Sequence, residues 1–192
     1  MNVYRRRVWE LVRQLLQPYA PVSRALDFGS GDGWFAQSFS KEGLAGEVTS
    51  VDVQRRANTV VEPQLYDGQR LPYDDRSFEL VYSIDVLHHC PDPRASLRDA
   101  LRCSGRFFLV KDHTYRHWWD WLILCGLDEI GNRRFGVANR YRYQHKWEWT
   151  AWIEAEGFVL DRLIHPAYCH RGLLGRTTNH LQFAALWKRA NA

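Results

Sequence analysis

Residues 25–35 read ALDFGSGDGWF, with Gly29, Gly31 and Gly33 at alternate positions directly behind a short apolar run. A glycine-rich turn between a strand and a helix lets a ligand reach the main chain, and the helix N-terminus adds a partial positive charge. The turn therefore predicts both a strand–helix unit and a ligand.

The remaining chain alternates in the same way. Val8, Leu11, Val12, Leu15, Leu16 and Tyr19 repeat at helical spacing before the helix ends near Pro18. RALDF, EVTSVDV, FELVYSI and GRFFLV read as short apolar strands, and GWFAQSFSKEG as a helix closed by Gly43. Asp92 and Pro93 form a cap and first-turn pair that opens a helix to about Arg102. Gly157 closes a helix over 144–156, and FVLDRLI and LQFAALW form a terminal strand pair. This order predicts an α/β fold: a doubly wound, mostly parallel Rossmann-like sheet with a terminal antiparallel strand and helices on both faces. Ligands bind such sheets at the carboxyl ends of the strands, where the glycines lie.

A length of 192 residues with 45% apolar content suits one domain. Within it we expect an N-terminal helix (1–20), a ligand-binding core (24–111), an aromatic-rich cover (112–157) and the terminal strands (158–188). No apolar run approaches the roughly 20 residues that span a bilayer, and the start MNVYRRRVWELVRQLLQPYA lacks an uninterrupted signal-peptide core, so a cytoplasmic protein is expected. Cys90, Cys103, Cys125 and Cys169 form no C-x-x-C pair, which fits reduced thiols and no zinc site. The net charge of +4 rests mostly on arginine, without a long basic stripe, so a nucleic-acid partner is disfavoured.

The ligand follows from the turn itself. A nicotinamide-binding turn requires G-x-G-x-x-G, whereas Trp34 stands where the third glycine would be. Asp27, at the end of the first strand, would repel a pyrophosphate and tolerate a cation.

Here the chain resembles the class I S-adenosylmethionine-dependent methyltransferases, whose first motif is an acid followed by G-x-G-x-G. Asp52 in SVDV matches the family's second acid, which accepts both ribose hydroxyls, with Val53 beside it. Asp67, followed by Gly68 in YDGQRLPYDDRSFELV, matches the acid beside the adenine amino group. SIDVLHHCPDP matches the D-V-L-H-H motif at the end of the fourth strand, Asp85 to His89. The resemblance implies S-adenosylmethionine as cofactor and S-adenosylhomocysteine as product. Asp27, Gly29, Gly31, Gly33, Asp52, Val53, Asp67, Gly68 and Asp85 are the implied cofactor residues. Only 15 positions separate Asp52 from Asp67, so the helix usually found there is expected to shrink to a loop at QRRANTVVEP. Beyond Val110 the chain is similar to compact bacterial methyltransferases with KDH after strand five, an apolar helix WWDWLILCGL, and a D-x-x-G-N turn at Asp128 to Asn132.

For several residues two readings stand side by side. Asp85 either caps the next helix or touches the methionine moiety or acceptor. His88, His89 and His113 are candidate bases for an oxygen acceptor, or packed histidines. No metal site is expected, because HHC lacks ligand spacing and companion acids. Of Trp118, Trp119, Trp121, Trp147, Trp149 and Trp152, most are expected in the core and the remainder in a lid over the acceptor. WLILCGL is apolar almost all round, which fits a fully buried helix or one bordering a lipid-like substrate. The acceptor implied is a small molecule, glycan or lipid-linked group. The alternatives are tRNA, for which Arg133, Arg134, Arg140 and Arg142 would matter, and a regulatory protein that binds the cofactor without catalysis.

Overall fold

A computed structural model describes residues 3–132 and 140–190, apart from the Asn132 side chain. Its elements run α1 (Val3–Leu16), β1 (Val22–Phe28), α2 (Trp34–Lys41), β2 (Ala45–Asp52), β3 (Gln64–Leu65), β4 (Phe78–Ile84), α3 (Pro93–Cys103), β5 (Ser104–Tyr115), α4 (Trp118–Asn132), β6 (Gln144–His145), α5 (Glu148–Ala155), β7 (Phe158–Ile164), α6 (Gly172–Thr178) and β8 (Gln182–Arg189). The sheet order is β3-β2-β1-β4-β5-β8-β7, with β6 pairing the far end of β5. β8 is antiparallel to both β5 and β7, while the pairs from β3 to β5 are parallel.

The central strands are buried on both faces, which is why they read as unbroken apolar runs. One face is covered by α1 and α2 through Val8, Val12, Leu15, Leu16 and Phe39. The other is covered by α3 and α5 through Leu97, Ala100, Leu101, Trp149 and Ile153. α3 opens as its sequence predicts: Asp92 Oδ1 accepts from the main-chain N–H groups of Arg94 and Ala95 at 3.0 and 3.1 Å, and Pro93 fills the first turn. No helix forms between β2 and β3, in agreement with the short spacing from Asp52 to Asp67.

Three boundaries differ from expectation, each for a tertiary reason. β5 does not stop at Val110 but continues through Lys111, Asp112 and His113, because β8 supplies a ladder from Phe107 opposite Lys188 to His113 opposite Gln182. β4 ends at Ile84 opposite Lys111, so β5 projects past its neighbour. α4 is continuous to Asn132, which makes Asp128–Asn132 its last turn and not a separate one. The helix expected over 144–156 starts only at Glu148; Gln144 and His145 pair with Thr114 and Tyr115 instead, and Gln144 Oε1 accepts from the Trp149 N–H at 3.0 Å.

α4 is not a buried helix. Asp120, Leu124 and Asp128 point inward, while Trp118, Trp119, Leu122, Ile123 and Ile130 are exposed. Of the other tryptophans, Trp149 is buried, and Trp121, Trp147 and Trp152 pack partly against core clusters. All four cysteines are free thiols. Among the described residues no helix is long and apolar enough to cross a membrane.

Candidate active site

The glycine turn lies at the carboxyl end of β1, next to the end of β2. Gly29, Gly31 and Gly33 have φ of 77, 60 and 78°, a region that L side chains avoid. The N–H groups of Gly29 and Ser30 donate to the Val51 carbonyl at 2.9 and 3.0 Å. Asp52 completes the junction: its Oδ2 accepts from the Gly31 N–H at 2.8 Å, and its Oδ1 from the N–H groups of Val53 and Gln54 at 2.7 and 3.2 Å. Asp32 Oδ1 accepts from the Trp34 N–H at 3.1 Å, and its Oδ2 pairs with Arg5 of α1 at 2.7 Å, which ties the first helix to the turn.

Asp27 is buried below this turn, and its Oδ2 has no hydrogen-bond partner among the described residues. Burial, reinforced by the Asp52 charge, pushes its carboxyl up to about 8. Asp67 is exposed and accepts from the Gln69 N–H at 2.9 Å; beside it Gly68 has φ of 79°, and Val53 is 57% exposed. These three line an open flank beyond β2 and β3.

Asp85, at the end of β4, is not a helix cap. It holds a φ of 55°, its N–H donates to the Lys111 carbonyl at 2.8 Å, and its carboxylate takes the Lys111 ammonium at 2.5 Å and the Tyr4 hydroxyl at 2.8 Å. Lys111 is fully buried and also donates to Gln182 Oε1 at 2.7 Å and to the Tyr4 hydroxyl. One buried ion pair thus joins α1, β4, β5 and β8.

Two of the three candidate histidines, His88 and His113, converge on Asp112, and His89 packs against His88 with ring centroids 4.0 Å apart. Asp112 Oδ1 lies 2.5 Å from His88 Nδ1, 3.2 Å from His113 Nδ1, and 2.8 Å from the His113 main-chain N. Burial opposes charge on His88, but Asp112 outweighs it and raises its pKa. Burial likewise opposes charge on Asp112, yet His88 and the bond from His113 bring its pKa far below the usual range. His89 is pushed down to about 4 by burial and by its neighbour His88. Asp128, from the inward stripe of α4, places Oδ2 at 3.4 Å from His88 Nε2 and accepts from the Tyr143 hydroxyl at 2.5 Å. Tyr143 packs on both His88 and His113.

The expectation that the histidines lack companion acids is therefore wrong: Asp112 and Asp128, distant in sequence, are brought to them by β5 and α4. The available signal was two carboxylates, Asp120 and Asp128, in the inward i, i+4, i+8 stripe with Leu124 on an otherwise apolar helix. Tyr143 gave no signal. Beyond β5 a cleft of about 950 Å³ is lined by Tyr115, His117, Trp119, Trp147, His180 and Leu181, separate from the glycine turn.

A family model described as "Methyltransferase domain" matches residues 1–163. The chain belongs to the class I S-adenosylmethionine-dependent methyltransferase family. The sarcosine/dimethylglycine N-methyltransferase of Halorhodospira halochloris is 29% identical over 155 residues, covering 71% of this chain and 54% of that protein. The human protein named "Probable tRNA methyltransferase 9B" is 30% identical over 93 residues, covering 48% of this chain and 20% of that one. The chain spans only between 19% and 57% of the length of the curated relatives it matches. In fold it is similar to the S-adenosylmethionine-dependent methyltransferase of Mesorhizobium loti, with a TM-score of 0.68 at 15% identity, covering 95% of this chain and 98% of that one.

Proposed function

We propose that this methyltransferase moves the methyl group of S-adenosylmethionine to a small-molecule, glycan or lipid-linked acceptor at the carboxyl ends of β4 and β5. The observation that carries the reading is the Asp52–Gly31 junction. Gly31 is the one member of the triplet whose missing side chain faces only a mobile group, the Arg56 guanidinium at 3.4 Å, so a ligand can take that space. Asp52 keeps lone pairs beyond its main-chain bonds. The cofactor, when bound, supplies an activated methyl on sulfonium.

The protein's share is alignment and proton removal. Asp52 holds the ribose hydroxyls, Asp67 and Gly68 the adenine edge, and Asp85, held by Lys111, borders the methionine end. Holding donor and acceptor at near-attack distance replaces a bimolecular encounter. For an oxygen acceptor we assign the base to His113. Its Nδ1 is held by Asp112, which leaves Nε2 to accept a proton, whereas both ring nitrogens of His88 face carboxylates and His89 is a weak base. The aromatic cleft beyond β5 has the size and lining of a small-molecule site. Of the arginines that a tRNA substrate would engage, Arg140 and Arg142 are exposed, and Arg133 and Arg134 lie outside the described residues.

The test is incubation with methyl-labelled cofactor and fractionated cell extract. Label in a low-molecular-weight or lipid fraction is expected; label in tRNA would favour the alternative acceptor, and cofactor binding with no labelled fraction a non-catalytic role. In parallel, Asp52→Ala should weaken cofactor binding by roughly 2–4 kcal/mol through loss of charge-assisted hydrogen bonds, read by calorimetry. Unchanged affinity in a folded variant would refute the ribose assignment.

A further inference from the structure

We propose that His88, His89 and Asp128 form a binding site for one divalent cation of the zinc class, oriented by Asp112. One ligand atom from each of the three residues lies within 4.8 Å of the others, at a buried position between the end of β4 and α4. His88 Nε2 and Asp128 Oδ2 are 3.4 Å apart, yet Nε2 makes no hydrogen bond. Two ligands held about 2.0–2.1 Å from a tetrahedral ion are roughly 3.3–3.4 Å from each other, so this separation is that of a ligand edge.

The other face of His88 supplies the second observation. Nδ1 lies 2.5 Å from Asp112 Oδ1, a distance that leaves no room for an ion and fixes Nδ1–H toward the carboxylate. Nε2 then carries the lone pair and points at Asp128. A carboxylate that orients a histidine through its second nitrogen is the outer shell typical of zinc sites. The same contact decides between two candidate groupings: His88, Asp112 and His113 also cluster, but there Asp112 acts as orienter and not as ligand. The buried Asp112 Oδ2, without a partner, gives this outer shell a spare acceptor.

Two imidazole nitrogens and one carboxylate oxygen suit zinc or a neighbouring first-row ion better than magnesium or calcium, which take mainly oxygen ligands. Three protein ligands leave a fourth position, the pattern of a catalytic site. Contact of that position with an acceptor oxygen is a role that rests on the methyl-transfer reading; the ion site itself does not.

The experiment takes the whole chain, stripped with a chelator, and titrates it with zinc by calorimetry and with cobalt(II) by visible absorption. One ion per chain is expected, with the intense absorption of tetrahedral cobalt. His89→Gln and Asp128→Asn should each weaken binding at least tenfold, and Asp112→Asn by 10- to 100-fold, as for other outer-shell partners. Each sample is also melted with S-adenosylhomocysteine; a retained shift shows that the variant is folded. Absence of stoichiometric binding, or binding undiminished in folded His89→Gln and Asp128→Asn, would overturn the site. Ion binding without any S-adenosylhomocysteine shift would leave the site standing and refute the methyl-transfer reading instead.

Discussion

Gly29, Gly31 and Gly33 share one turn and similar backbone angles, yet they answer to different neighbours. A Cβ on Gly29 would collide with Val86 Cγ1, and one on Gly33 would meet the Val61 main chain at 2.7 Å, so these two glycines serve the protein's own packing. Gly31 has no such neighbour. Gly29→Ala should therefore destabilise the fold by roughly 2–5 kcal/mol, from the clash and the left-handed backbone together. Gly31→Ala should cost only about 1–2 kcal/mol. Thermal denaturation of the two variants checks this, and equal losses would contradict it. Asp27 couples stability to pH. Its folded pKa of about 8 lies above the ordinary 3.8, so the native state holds a proton that the unfolded chain releases between about pH 4 and 8. Stability should fall as pH rises through that window, by an amount on the order of a few kcal/mol, and be unaffected below it. Asp27→Asn should flatten the slope and raise the melting temperature at pH 8; a parallel profile would contradict the buried-carboxyl account.

Between elements, the link that most ties the site to the fold is the Lys111–Asp85 pair. Lys111 from β5 neutralises Asp85 at the end of β4 and reaches Tyr4 of α1 and Gln182 of β8. Lys111→Met should leave Asp85 partly buried and uncompensated, at a cost of roughly 3–5 kcal/mol measured by denaturant titration. A loss below 1 kcal/mol would mean that solvent reaches Asp85 freely. The elements also differ in how far they could be read from sequence. β1, β4, the start of α3 and the terminal strand pair follow local chemistry: apolar runs, a cap, a turn. The length of β5 does not, because its last residues are strand only where β8 pairs with them. The late start of α5 likewise reflects pairing of Gln144 and His145 with β5. The acids around His88 are brought there by the fold as well: the helical stripe of Asp120, Leu124 and Asp128 marks an inward face of α4, but its meeting with β5 is set by tertiary packing.

At the scale of the molecule, the reversed β8 between β5 and β7 lets β5 overrun β4, and the overrun carries Asp112 and His113 to the histidines of the β4 end. The glycine turn, two strands away, takes its shape from its own glycines and is fastened to the end of β2 through Val51 and Asp52. Hence the cofactor half was legible as motifs, whereas the acceptor half exists only in the folded chain. Melting with ligands reads the cofactor site at the glycine turn. S-adenosylhomocysteine at a hundredfold excess over its Kd should stabilise the native state by about 2.7 kcal/mol, a rise of about 5–10 °C for a chain of this size, with no effect of NAD. Gly31→Val should keep native circular dichroism and lose the shift. A rise with NAD in place of S-adenosylhomocysteine, or an undiminished rise in the valine variant, would contradict the account.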